Sequence, residues 1–250
     1  MSASYVHLTV ENKVGYIEFY NPPHNALPSK MLATLAELIE TAGMNPSITV
    51  ILLKSGGERT FCAGASFEEL IAILNPQEGT TFFEGFANVI NALRNCPKIT
   101  IGRVQGKAVG GGVGLAAATD YCLATTHSEI KLSELTIGIG PFVIEPAVTR
   151  KIGLSAMSQL SLEASRFFTP KWAQEKGLFM KLCSSIESLD SEVKLLAEQL
   201  CKYNPETLKE LKEIFWNGTE HWDELLKERA SISGRLVLSE ITKTQLKKYK

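Results

Sequence analysis

The chain has 250 residues, of which 44% are hydrophobic and 21% charged, with a formal net charge of −1. Those proportions describe an ordinary globular protein long enough to bury a sizeable core, with no basic footprint for nucleic acid. No apolar run reaches the roughly 18–20 residues of a membrane span, and "MSASYVHLTVENK" lacks the basic and apolar regions of a signal peptide.

In chain order, "YVHLTVE" and "VGYIEFY" alternate apolar and polar residues with period two around the turn "NKVG", which predicts two strands. "NPPHNALP" predicts a rigid, proline-studded loop, and "SKMLATLAELIETAGM" an amphipathic helix with Ser29 as its N-cap. "ITVILLK" is a continuous, β-branched apolar run and predicts a buried strand. "SGGERTFCAGASFEELIAIL" passes through a loop into a helix, and "TTFFEGFANVINALRNC" predicts a second helix. "KITIGRVQG" predicts a strand ending at a glycine run, "YCLATTHSEIKL" one or two short strands, and "EPAVTRKIG" with "SAMSQLSLEA" a helix. Strands and helices thus alternate to about residue 190, an α/β pattern. From Leu189 the signal is almost wholly helical, broken at Pro205 and Gly218. The expected division is residues 1–188 as the body carrying the site and 189–250 as a helical region. Such a tail serves as a lid, a packing layer or an assembly surface.

The stretch "QGKAVGGGVGLAAATD", residues 105–120, gives up backbone entropy that must be returned by close approach to something. Residues 112–117 match the dinucleotide spacing G-x-G-x-x-A. A nucleotide-binding turn, however, opens a helix of reasonable length near the start of its domain, whereas here the helix is short and at least three strands precede it. The other use of such a turn is to aim an N–H, backed by a helix dipole, at a developing negative oxygen. "FCAGAS", residues 61–66, is a second small-residue loop between strand and helix, so the pair can supply two donors. Two tight connections chosen only for packing would look the same in residue types.

"FCAGAS", then "VQGKAVGGGVGLAAATD", then "SELTIGIGP" resemble the enoyl-CoA hydratase/isomerase (crotonase) family. "NPPHNALP" is similar to that family's early N-A-L loop and "FFTPKWAQEKGL" to its later A-x-x-x-G-L region, so the resemblance runs in order from about Val6 to Leu182. It implies a spiral of ββα turns with a carboxy-terminal helical region that builds trimers or dimers of trimers. It also implies an acyl-CoA thioester substrate whose enolate is held by two backbone N–H groups, here those of Ala65 and Gly111. Substrate contacts implied by motif match are Ala26, Ala63, Gly64, Ala65, Gly110, Gly111 and Pro141. No cofactor is implied, because coenzyme A is part of the substrate.

Hydratases of the family carry two glutamates. The second matches Glu134, the general acid/base candidate, but at the first this chain has Gly114. Ser66 stands where many members have Asp, and "PFVIEP" replaces a glycine-lined segment with bulk. "GGGVGL" together with that segment is similar to a bacterial branch assigned to methylglutaconyl-CoA hydration in leucine breakdown, which puts hydration of a 2-enoyl-CoA first. Double-bond isomerisation by one glutamate is the rival, and a non-catalytic acyl-CoA scaffold the alternative from another class. Glu145 is a weaker substitute for the lost acid. His24, His127 and the other two histidines make no metal or triad spacing. Asp120 reads as a cap or structural partner, Cys62 as packing, and Trp172, Trp216 and Trp222 as core or interface anchors. Cys62, Cys96, Cys122, Cys183 and Cys201 form no CxxC pair and fit reduced thiols in a cytoplasm.

Overall fold

In the computed structural model, which describes residues 3–249, the two period-two segments pair as an antiparallel hairpin. β1 (Tyr5–Glu11) and β2 (Val14–Tyr20) set Tyr5 opposite Tyr20 and Glu11 opposite Val14. The turn is made by Asn12 and Lys13 at φ of 51° and 67°, the two-residue geometry whose twist suits a hairpin. There follow α1 (Ser29–Met44), β3 (Val50–Ser55), β4 (Thr60–Cys62), α2 (Phe67–Ala72), α3 (Pro76–Asn95), β5 (Ile99–Val104), β6 (Lys107–Val109) and α4 (Gly111–Ala118). β7 (Tyr121–Thr125), β8 (Ile130–Lys131), a 3-10 turn (Glu134–Ile137), α5 (Glu145–Leu162), α6 (Pro170–Glu175) and β9 (Lys181–Cys183) complete the body. α7 (Ile186–Leu200), α8 (Pro205–Phe215), α9 (Trp222–Leu236) and α10 (Glu240–Leu246) form the helical end.

Six strands make one sheet in the order β1-β2-β3-β5-β7-β9, parallel from β2 onward, and β4-β6-β8 make a second, parallel sheet. β3 reads as an unbroken apolar run because both of its faces are covered. Ile51 and Leu53 face the main core with Leu35 and Ile39 of α1 and Ile90 of α3. Val50 and Leu52 face the other way, against Leu189, Val193 and Ala197 of α7. No helix among the described residues is long and apolar enough to cross a membrane.

Three local expectations are corrected. Ser29 is not the N-cap of α1. Pro28 holds that position without a side-chain bond, and the Ser29 N–H and hydroxyl both donate to Glu69 of α2, at 2.8 and 2.6 Å. Local cap preference is overridden by a tertiary carboxylate that suits the positive end of the helix. Residues 112–117 lie inside α4, behind the cap Gly110, so the dinucleotide spacing makes no phosphate turn. α3 begins at Pro76, capped by Asn75, four residues before the expected start.

The helical end folds back over the body. α9 crosses α3 so closely that a Cβ on Gly79 would lie 2.7 Å from the Gly234 Cα. Thr242 of α10 donates to the Gly138 carbonyl at 3.1 Å, and Leu246 packs with Ile137 and Ile139. Asp120, just past α4, is a buried structural acceptor that meets Lys212 at 2.6 Å, Trp216 Nε1 at 2.7 Å and the Thr100 N–H at 2.7 Å. Trp216 and Trp222 are buried edge to face, and Trp172 packs on Phe168 with the rings tilted by 51°.

Candidate active site

The parallel pairing of β4 with β6 sets Cys62 beside Ala108, so the two small-residue loops leave the second sheet side by side. Gly64, at φ +90°, lies so near the other loop that a Cβ there would sit 3.1 Å from the Val109 carbonyl and 3.5 Å from the Gly111 nitrogen. Only a glycine meets both the backbone angle and the approach. The Ala65 side of the pair is fixed by an isolated bridge to Leu27. The Leu27 N–H donates to Gly64 O at 2.8 Å and the Ser66 N–H to Leu27 O at 3.1 Å. In that register the Ala65 N–H points away from Leu27. The Gly111 N–H opens α4 and so has no acceptor within the helix. Among the described residues neither N–H donates to a protein acceptor. Two neighbouring donors, one with a helix dipole behind it, can hold an oxyanion.

Glu134 begins the 3-10 turn, and its Oε1 reaches to within 2.9 Å of where a Gly110 Cβ would be. Gly110 itself has φ +54°, so any side chain there would be strained and would press on the carboxylate. Glu134 Oε2 is buried and without a hydrogen-bond partner. Although part of the residue is exposed, its carboxyl group is enclosed, and burial pushes its pKa from 4.5 to about 7, offset only in part by a bond from its own backbone N–H. A carboxyl group poised there accepts and returns a proton near neutral pH.

These groups share a cavity of about 80 Å³ with aromatic and aliphatic walls that include Phe86, Phe142 and Ile144. Ala63, Gly64, Ala65, Gly110, Gly111, Glu134 and Pro141 all line it, and Ala26 does not. The Ala26 carbonyl accepts instead from Asn21 Nδ2 at 2.5 Å. At Gly114 a Cβ would come within 2.4 Å of Ile144 Cγ2, so the place from which a first glutamate would project is taken by a hydrocarbon side chain. Glu145 is outside the lining. Its carboxylate accepts from Thr149 at 2.6 Å and faces Arg229 at 4.0 Å. Ser66 caps α2 by accepting from Glu69 N–H at 3.3 Å, so Ser29, Glu69 and Ser66 together clamp the Ala65 loop onto the start of α1.

Cys62 is fully buried and its thiol is pushed up to about 12 by desolvation, so it supplies no thiolate. His24 meets the Ala63 loop only through its backbone carbonyl, and no metal-binding group exists among the described residues. Phe83, Phe86 and Ser233 were not identifiable from sequence. The first two read as ordinary core positions of a helix, and Ser233 lies over a hundred residues from the loops it meets.

The model of the family Enoyl-CoA hydratase/isomerase matches residues 9–248. The chain belongs to that family. Among curated relatives, the "Probable enoyl-CoA hydratase" of Bacillus subtilis (strain 168) is 26% identical over 246 residues, 98% of this chain and 95% of the relative. The "Ethylmalonyl-CoA decarboxylase" of Xenopus tropicalis is 35% identical over 53% of this chain and 44% of its own length. The crystal structure of enoyl-CoA hydratase from Bacillus halodurans superposes with a TM-score of 0.90 at 22% identity, covering 98% of this chain and all of that one. This enoyl-CoA hydratase/isomerase therefore has the α/β crotonase fold, and its family acts on acyl-CoA thioesters.

Proposed function

We propose that the chain stabilises the enolate of an acyl-CoA thioester between the Ala65 and Gly111 N–H groups while Glu134 alone carries the proton. The supporting observation is that, among the described residues, Glu134 alone brings a carboxyl group to the cavity, with Ile144 seated on Gly114 where a second acid would be. The reaction this favours is movement of a double bond. Glu134 takes a proton from C2 of a 3-enoyl thioester, and the electrons pass into the carbonyl as a dienolate. The same carboxyl group then returns the proton at C4, leaving the double bond between C2 and C3. No water takes part, and each backbone donor contributes about 2.7–4 kcal/mol of transition-state stabilisation.

Hydration of a 2-enoyl-CoA is the second reading, favoured by the relatives named as enoyl-CoA hydratases. Here Glu134 takes a proton from water, the hydroxide adds to C3, and Glu134 returns the proton at C2, with no second carboxylate to hold the water. Incubation with 2- and 3-enoyl-CoAs in heavy-oxygen water separates the two. A migrated double bond without label supports isomerisation, and label in the product supports hydration. Absence of both with every thioester, despite binding, supports a silent scaffold. CoA is the only cofactor-like group in this reading, as part of the substrate, and a homotrimer or hexamer is proposed as the working form. Leu195, Leu211, Ile214 and Phe215 of α7 and α8 are exposed on the single chain, which leaves an apolar surface for assembly.

A further inference from the structure

We infer that the acyl pocket takes a short, uncharged acyl group of about four carbons and rejects acyl groups that end in a second carboxylate. The inference rests on the acyl-CoA reading of the cavity and adds the class of acyl group.

Size comes first. At about 80 Å³ the cavity is roughly half the ~150 Å³ that accommodates a benzene ring. Two of its walls are backed by backbone contact. Ile144 rests against Gly114, where its Cγ2 would lie only 2.4 Å from an added Cβ. Ser233 is carried by α9 where Gly234 touches Gly79, a Cβ on Gly234 meeting the Thr80 nitrogen at 2.4 Å. The α9 wall is held by the Gly79–Gly234 approach of two backbones, so it does not retreat by a rotamer change alone.

Charge decides the rest. Among the described residues Glu134 is the one ionisable residue in the lining, and Ser133 and Ser233 supply its side-chain hydroxyls. Arg229, one turn before Ser233 on α9, stands outside the lining and faces Glu145 at 4.0 Å. A second carboxylate would therefore lose its water, gain no cation and lie in the same cavity as another acid. This separates the chain from the methylglutaconyl-CoA branch that its motifs resemble, because that acyl group ends in a carboxylate.

The test is calorimetric titration of the full chain with CoA and with the saturated thioesters butyryl-, hexanoyl-, dodecanoyl- and glutaryl-CoA. Saturated chains keep binding apart from double-bond chemistry. Butyryl- and hexanoyl-CoA are expected to bind more tightly than CoA, each methylene that enters adding up to about fourfold in affinity. The gain is expected to stop by hexanoyl, and glutaryl-CoA to bind at least about 100-fold more weakly than hexanoyl-CoA. Glutaryl-CoA binding within about threefold of hexanoyl-CoA, or affinity that climbs steadily to dodecanoyl, overturns the inference and leaves the acyl-CoA reading standing. If no thioester exceeds CoA, the acyl-CoA reading falls and the inference with it. Ile144→Ala, once shown to be folded by circular dichroism, is expected to move the length limit up by one or two carbons. An unchanged limit overturns the assignment of that wall, and the wild-type series stands whether or not the variant folds.

Discussion

Replacing Glu134 by Gln separates catalysis from stability in one substitution. The carboxyl group is enclosed by the cavity, and its pKa is raised from 4.5 to about 7 by burial. At about 1.4 kcal/mol per pH unit, the ionised form of Glu134 costs the folded state about 3 kcal/mol. The sign follows from linkage. A group whose pKa is raised on folding contributes stability that is fully present below its unfolded value, here 4.5, and is lost as pH rises through about 7. Gln carries no such charge. Glu134→Gln should therefore be about 3 kcal/mol more stable than wild type near pH 8 and gain little near pH 4.5. In a chain of this size that is a rise in melting temperature of roughly 6–12 °C at the higher pH. Turnover should fall by at least about 100-fold, with CoA affinity little changed, because Gln cannot accept the proton. The wild-type kcat/KM should rise with pH through about 7 as the base forms. Thermal melts at the two pH values and a rate profile check both halves. An equal melting shift at both pH values would refute the burial argument, and near-full turnover would refute the single-carboxylate mechanism.

Gly114→Glu drives a side chain into Ile144, so it should lower stability by about 1–3 kcal/mol in urea melts. Adding Ile144→Gly should relieve that loss and raise heavy-oxygen incorporation into product. Asp120→Ala takes the counter-charge from the buried Lys212 ammonium, which keeps only the Leu93 carbonyl, and the acceptor from the Trp216 N–H, and should cost about 3–5 kcal/mol by denaturant unfolding. Glu69→Ala frees Ser29 and loosens the Ala65 loop. It should lower kcat by about 10–100-fold with little effect on CoA binding, and Glu69→Gln should recover part of the loss. Light scattering should show a trimer or hexamer at micromolar concentration, and Ile214→Asp with Phe215→Asp should shift it to smaller species.

What the sequence displayed well were features carried by a single segment. The hairpin was legible because period-two alternation on both sides of Asn12 and Lys13 needs no distant partner. β3 was legible because covering both faces of a strand forces an unbroken apolar run. β4, only three residues long, has too few positions to show a period, yet it sets Cys62 beside Ala108 and so brings the two donor loops together. Ser29 misled because a serine before a helix is the usual local cap, while the carboxylate that caps α1 belongs to Glu69, forty residues on.

The same distinction governs the chemistry. Glu134 in "SELTIG" is a surface acid or a proton carrier depending on what encloses it, and that enclosure comes from Gly110 on one loop, Ile144 thirty residues beyond Gly114, and Ser233 on α9. A glycine at position 114 announces only that a carboxylate is absent. It does not tell whether the space holds water, which would keep a hydration site open, or hydrocarbon, which closes it. Bulk in "PFVIEP" hinted at the second, but the register that puts Ile144 rather than Glu145 against Gly114 is set by where α5 begins. Were α5 to begin one residue later, residue 145 would take the cap place that Ile144 holds, and its carboxylate would be carried toward Gly114. Under the proposed single-carboxylate mechanism, the difference between adding water and moving a double bond comes down to the start of α5, which residue types alone do not specify.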